Sequence, residues 1–177
     1  MNHIIETDRL LLITYSLEMI RATIEGPEAL EEITGYEVSR DWPGIDFFFY
    51  LPYVLENVEK KPAMTRWTKL VVLKEAKMII GEIGGQGDPD ETGEIELGYS
   101  IVPAYQNQGY MSEAIAELLN WLLQEPVIHK IFARCYATNQ ASIQVLRHNH
   151  FTYMEGQDVN EPVGKVLRWE YLREKGE

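Results

Sequence analysis

Residues Glu94 to Ser112 read EIELGYSIVPAYQNQGYMS. The first half alternates. Ile95, Leu97, Tyr99 and Ile101 fall on one face of an extended segment, and Glu94, Glu96, Gly98 and Ser100 on the other. Pro103 stops the strand, because proline has no N–H to give to a ladder. A short polar loop containing Gly109 follows, and a helix begins at once. A helix start carries unpaired N–H groups and a partial positive charge, which suits a phosphate. Gly109 lets a ligand approach the backbone closely, and Ser112 can add a hydroxyl in the first turn. Other phosphate loops do not match. There is no Gly-Lys-Ser/Thr, and Gly109 alone cannot make a G-x-G-x-x-G fingerprint. Gly85 and Gly87 lead into a strand and read as turn residues.

The surroundings build outward from this segment. Met111–Gln124 places Ala114, Ile115, Leu118, Leu119, Leu122 and Leu123 at helical spacing. Lys130–Tyr136 reads as a strand, Asn139–His148 as a helix, and Phe151–Glu155 and Lys165–Arg173 as closing strands. On the other side, Trp67–Lys74 and Met78–Gly84 form a hairpin pattern, and Gly85–Gly93 a turn-rich loop. Arg9–Tyr15 is an opening strand. Ser16 caps a helix to Glu25, and Gly26-Pro27 restarts one that Gly35 ends. Ile45–Glu59 reads as a helix broken or kinked near Pro52, with an aromatic face that joins the core or lines a pocket, the core being preferred. The expected fold is α/β (an α+β mixed sheet) in a single domain over residues 1–177, with a central, mostly antiparallel sheet and helices on both faces.

Composition narrows the function. The chain has 177 residues, with 16 Lys and Arg against 28 Asp and Glu, a net charge of −12. That argues against general nucleic-acid binding, which relies on basic patches, and against an anionic membrane surface. Residues 1–60 carry 4 basic and 12 acidic side chains, whereas residues 121–177 carry 7 of each. The acidic third either solubilises the chain or faces a cationic substrate. Cys135 is the single cysteine and reads as a buried, inert thiol. No secretion signal or apolar span is evident, so a cytoplasmic setting is expected. His148 and His150 do not share a helical face, and no residue set suggests a metal. There is no Gly-x-Ser-x-Gly elbow.

Gln106-Asn107-Gln108-Gly109-Tyr110-Met111 resembles motif A of the GNAT superfamily of N-acyltransferases, Gln/Arg-x-x-Gly-x-Gly/Ala. Met111 departs from the pattern at a position that contributes its backbone amide. ETDRLLL near the N-terminus resembles the opening strand of the RimJ/RimL-like branch, which acetylates protein N-termini and related amines. Asn139-Gln140-Ala141-Ser142 followed by Asn149-His150-Phe151 resembles that branch's Asn-x-x-Ser helix and closing Gly-Phe, with His150 in the glycine place. The resemblance covers nearly the whole chain and implies a splayed central strand pair.

It also implies acetyl-CoA as cosubstrate and no metal. The pyrophosphate would sit on the amides of Gln106, Asn107, Gln108, Gly109, Tyr110, Met111 and Ser112. The pantetheine arm would pair with the strand end at Ile101 and Val102, where an N–H would polarise the thioester carbonyl. Asn139 would bond the pantetheine region. Leu146 would lie at the cofactor, in the place where many members carry a tyrosine acid, so a tyrosine acid is excluded there. Ser142 would bind the sulfur or act as the acid. An attacking amine must be neutral, so a base is needed; Glu96 is preferred over Glu94. The acceptor would be a protein N-terminus or a small cationic amine such as a polyamine, aminoglycoside or amino acid. A non-catalytic acyl-CoA-binding module is the reading from another class. A homodimer, common in the branch, stays open.

Overall fold

The computed structural model describes residues 3–172, so Arg173 of the last expected strand lies outside the described residues. Two compact units share the chain: Gly84 and everything before it with Tyr99–Glu117, and Gly85–Gly98 with the chain from Leu118 onward.

The first unit opens with β1 (Ile5–Glu6) and β2 (Leu10–Thr14). Helix α1 (Leu17–Glu25) starts where the Ser16 hydroxyl accepts the Met19 N–H at 3.2 Å. Helix α2 (Pro27–Thr34) stops at Gly35, whose φ of 74° is left-handed and favours glycine. Strand β3 (Glu37–Val38), helix α3 (Ile45–Lys60), β4 (Thr68–Leu73) and β5 (Met78–Gln86) follow. The strands run in the order β1-β2-β4-β5, each antiparallel to the next, and β3 adds to β5 in parallel. Leu10, Leu12, Leu30, Leu51, Leu70 and Ile80 are fully buried. Both faces of β4 and β5 are covered, so these strands read as continuous apolar runs.

Helix α3 corrects two expectations. It runs unbroken through Pro52. The proline is exposed, as is Phe48, whose carbonyl loses its partner, so water can satisfy that group. The aromatic face is not mainly core either. Phe47 packs with Tyr15 and Trp42 at ring separations of 6.4 and 6.2 Å, but Phe48, Phe49, Tyr50 and Tyr53 are exposed.

In the second unit, part of the expected loop forms a short helix, α4 (Pro89–Thr92). The strand predicted from EIELGYSI is β6 (Glu94–Ile101), which begins in the second unit and ends in the first. Helix α5 (Tyr110–Leu122) begins in the first unit and ends in the second. Strand β7 (Lys130–Tyr136), helix α6 (Gln140–His148), β8 (Thr152–Tyr153), β9 (Val159–Glu161) and β10 (Gly164–Tyr171) complete the described chain. Strand β10 is antiparallel to β7, β8 and β9. Strands β6 and β7 are parallel, and their register ends at Glu96↔Phe132 although both strands continue. The described chain is therefore a mixed α/β fold with parallel and antiparallel pairs in an open sheet.

Helix α6 ends on a residue the sequence marks as unusual. His150 has φ 64°, its N–H donates to the Arg147 carbonyl at 3.0 Å, and the Phe151 N–H reaches the Leu146 carbonyl at 3.0 Å. This is a Schellman closure with histidine in the left-handed position.

Candidate active site

In the first unit, the loop from Gln106 to Gly109 turns the end of β6 into α5. Two of its residues are left-handed, Asn107 at φ 58° and Gly109 at φ 81°. Alternating hand points successive backbone N–H groups into one concavity, which favours an anion. The N–H groups of Tyr110 and Met111 lie in the first turn of α5, where no intrahelical carbonyl is available to them. The loop is anchored at both ends. Gln106 Nε2 donates to the Ile101 carbonyl at 2.9 Å, and Gln108 Nε2 to the Ala104 carbonyl at 3.0 Å. Met111 is buried, so its backbone is the part within reach of a ligand.

A second anchor comes from the N-terminal Thr-Asp-Arg, which sequence reasoning read only as the edge of a strand. Arg9 Nε donates to Glu113 Oε1 at 2.9 Å, and its Nη1 to the Gln108 carbonyl at 3.0 Å. Its guanidinium lies 4.2 Å from the Tyr110 ring centroid. Thr7 Oγ1 donates to Glu113 Oε2 at 2.6 Å. Partial burial pushes the Glu113 carboxyl up, but the hydrogen bonds from Thr7 and Arg9 outweigh it and hold the group below its ordinary range.

The strand end offers less backbone than expected. The Val102 N–H donates to the Ile80 carbonyl at 2.9 Å. Adjacent N–H groups along a strand point to opposite sides. The Ile101 N–H is therefore directed away from β5.

The two candidate bases on β6 each meet a basic side chain. Both oxygens of Glu96 are engaged by Arg134, with Nε at 2.8 Å and Nη2 at 2.9 Å. Each contact uses one acceptor site on its oxygen and leaves another. Glu94 pairs with Lys130 at 3.2 Å.

In the second unit, Asn139 Oδ1 caps α6 by accepting the Ser142 N–H at 3.1 Å. Ser142 is nearly buried and bonds the Cys135 thiol. Burial pushes that thiol up, and the hydrogen bonds from Ser142 and Trp169 only partly oppose this, so Cys135 stays a poor nucleophile. Leu146 is fully buried. No group of three or more potential metal ligands occurs among the described residues.

Of two further features, the first answers the pocket alternative for the aromatic face of α3, and the second has no counterpart in the sequence reading. An apolar pocket of about 280 Å³ in the first unit is lined by Thr23, Ile24, Leu30, Val38, Trp42 and Phe48 among others. Trp42 also donates its indole N–H to the buried Glu82 carboxyl at 2.6 Å. A glutamate inside the apolar run MIIGEIG was the available signal for the second feature.

Comparison with known proteins agrees with this geometry. Residues 31–152 match the acetyltransferase (GNAT) domain model. The chain is 34% identical over 171 residues to the uncharacterized N-acetyltransferase YjdG of Bacillus subtilis, covering 96% of this chain and 98% of that protein. A GnaT-family acetyltransferase structure from Bordetella pertussis superposes with a TM-score of 0.71 at 17% identity, over 96% of this chain and 99% of that one. RimL, a ribosomal L7/L12 α-N-protein acetyltransferase solved with coenzyme A, superposes with a TM-score of 0.68 at 18% identity, over 96% and 98%. The chain belongs to the GNAT acetyltransferase family and is an N-acetyltransferase. Among the described residues no helix is long and apolar enough to cross a membrane.

Proposed function

We propose that this chain transfers the acetyl group of acetyl-CoA to a primary amine, with a protein N-terminus as the acceptor. The observation that carries the reading is the loop Gln106–Gly109, whose two left-handed residues lead straight into α5. Backbone amides there can hold a pyrophosphate without a basic side chain, which suits a chain of net charge −12. The Ile101 N–H is the donor for the thioester carbonyl. Asn139 and Ser142 serve the cofactor in the RimL-like manner, with Ser142 placing a hydroxyl at the sulfur. The whole chain acts as one domain, in the cytoplasm and without a metal. Resemblance to the branch that modifies N-termini supports the peptide acceptor.

A small cationic amine is the second reading, favoured by the acidic residues 1–60, which carry 12 acidic against 4 basic side chains. The test is thiol release from acetyl-CoA with a panel of N-terminal peptides, spermidine, kanamycin and free amino acids. Turnover with peptides above the others supports the first reading, and the reverse order supports the second. Acetyl-CoA binding by calorimetry without turnover on any amine would make the chain a binding module. Sedimentation of the purified protein tests the homodimer.

A further inference from the structure

Glu82 lies on β5 beside Trp42 and close to Tyr15, with 6% of its surface exposed. The Trp42 indole N–H holds one oxygen at 2.6 Å, and the Ser100 hydroxyl hydrogen-bonds the same carboxyl. Ser100 itself is exposed. It sits on β6 one residue before Ile101, whose N–H is the oxyanion donor in the reading above. Trp42 also walls the apolar pocket. A buried carboxyl thus reaches the surface through one hydroxyl, at the strand end where acetyl transfer is placed.

We propose that Ser100 and Glu82 form the proton-accepting pair for the acceptor amine, with Ser100 touching the amine and Glu82 acting through it. The inference rests on the transferase reading. As an ammonium proton moves to Ser100 Oγ, the hydroxyl's own proton moves to the Glu82 carboxylate. The neutral nitrogen then bonds the thioester carbonyl carbon, and the C–S pair leaves with sulfur. The second proton shed by the new amide nitrogen goes to the thiolate, giving the CoA thiol. Glu82 returns its proton to water by the same hydroxyl. No external oxidant or reductant is needed.

The chemistry around Glu82 suits this work. Burial pushes its carboxyl up to about 7, with the hydrogen bonds from Trp42 and Ser100 pulling partly back. A base titrating near neutrality matches the operating range of proton transfer. Tyr15 is the titrating group on the covering side, and burial holds its phenol far above neutrality. On β4, Leu70 faces Glu82 in the register, and the neighbouring Lys69 ammonium is engaged by Thr14 Oγ1 at 2.9 Å.

The test joins kinetics to a signal that needs no turnover. The pH profile of kcat/KM is measured with acetyl-CoA and the best amine of the panel. The Trp42 indole ¹H–¹⁵N resonance is followed over the same pH range. The inference expects both to share a midpoint near neutrality. Glu82→Gln should lose about 10²-fold or more in kcat/KM and flatten the rising limb, with acetyl-CoA affinity unchanged. Glu82→Asp should restore part of the limb. Ser100→Ala should lose kcat while the indole signal still titrates. A folded Glu82→Gln with the wild-type profile, or an indole signal flat across the range, overturns the inference. Should Glu82→Gln not fold, unchanged kcat in Ser100→Ala, at an exposed position, overturns it equally. Wild-type protein that acetylates no amine brings down the transferase reading and the inference together. Active wild type with indifferent Glu82 and Ser100 variants brings down the inference alone.

Discussion

Arg9 and Glu113, 104 residues apart in sequence, meet at 2.9 Å and clamp the first turn of α5. The same guanidinium holds the Gln108 carbonyl, so the Gln106–Gly109 loop is fixed by the bend between β1 and β2. Arg9→Ala should weaken coenzyme A binding about tenfold, or ~1.4 kcal/mol, with a smaller loss of stability because the pair is partly exposed. Arg9→Lys should not restore binding, since a lysine cannot reproduce the planar fork. Titration calorimetry with coenzyme A checks both, and unchanged affinity in Arg9→Ala would show that the clamp does not shape the loop.

Gly109 at φ 81° and Asn107 at φ 58° should respond differently to substitution. Gly109→Ala forces a Cβ into the left-handed region at a cost of roughly 1–2 kcal/mol and should also weaken coenzyme A binding. Asn107→Gly keeps the required angle and should bind normally. Equal losses in both variants would mean that side chains and not backbone hand form the cradle.

Glu82 makes stability depend on pH in an unusual direction. Its carboxyl is raised from an ordinary 4.5 to about 7. Below about 4.5 the folded and unfolded chains both hold the proton, so the group contributes no pH dependence. Between 4.5 and 7 the unfolded chain gives it up first, so stability falls as pH rises, by about 3 kcal/mol in total. Glu82→Gln should remove this slope. Urea unfolding at pH 5, 6, 7 and 8 should show the variant gaining on wild type with each step, and parallel curves would contradict the burial-raised carboxyl.

Gly81 faces the backbone of β6. A Cβ there would run into the Ser100 carbonyl oxygen. Gly81→Ala should therefore destabilise by about 2 kcal/mol or more, because neither strand can yield without breaking ladder bonds. Gly44→Ala, where nothing lies within 4 Å, is the control and should stay within about 0.5 kcal/mol. Thermal unfolding of the two variants side by side decides the point.

The acidic N-terminal third leads to a kinetic expectation. If residues 1–60 attract a cationic acceptor, added salt should raise the acceptor KM more than the acetyl-CoA KM. Equal shifts would assign the charge to solubility.

Legibility in the sequence followed the range of the forces involved. Ser16, Gly35 and the alternation of EIELGYSI are local signals, and each marks its element within a residue or two. β1, β3 and β9 have two or three residues each and exist through their partner strands, so no local pattern announces them. Pro52 misled because the helix could leave one carbonyl to water. At the site, Gln106–Gly109 was readable because the loop's chemistry is backbone and contiguous. The Glu96–Arg134 pair spans 38 residues and the Glu82–Trp42 bond 40, so neither shows in local spacing. Side-chain roles set by distant partners leave little trace in the spacing of one strand.

His150 closes α6 at φ 64°, at the place of the glycine in the motif that Asn149-His150-Phe151 resembles. The family pattern there is therefore a demand on a backbone angle and not on a letter. Histidine and asparagine can meet that demand at modest cost, whereas a β-branched residue cannot. A search for relatives that insists on glycine would pass over this chain. One that scores each residue's tolerance of the left-handed region would retain it, and it would treat Asn107 and His150 as the same kind of evidence.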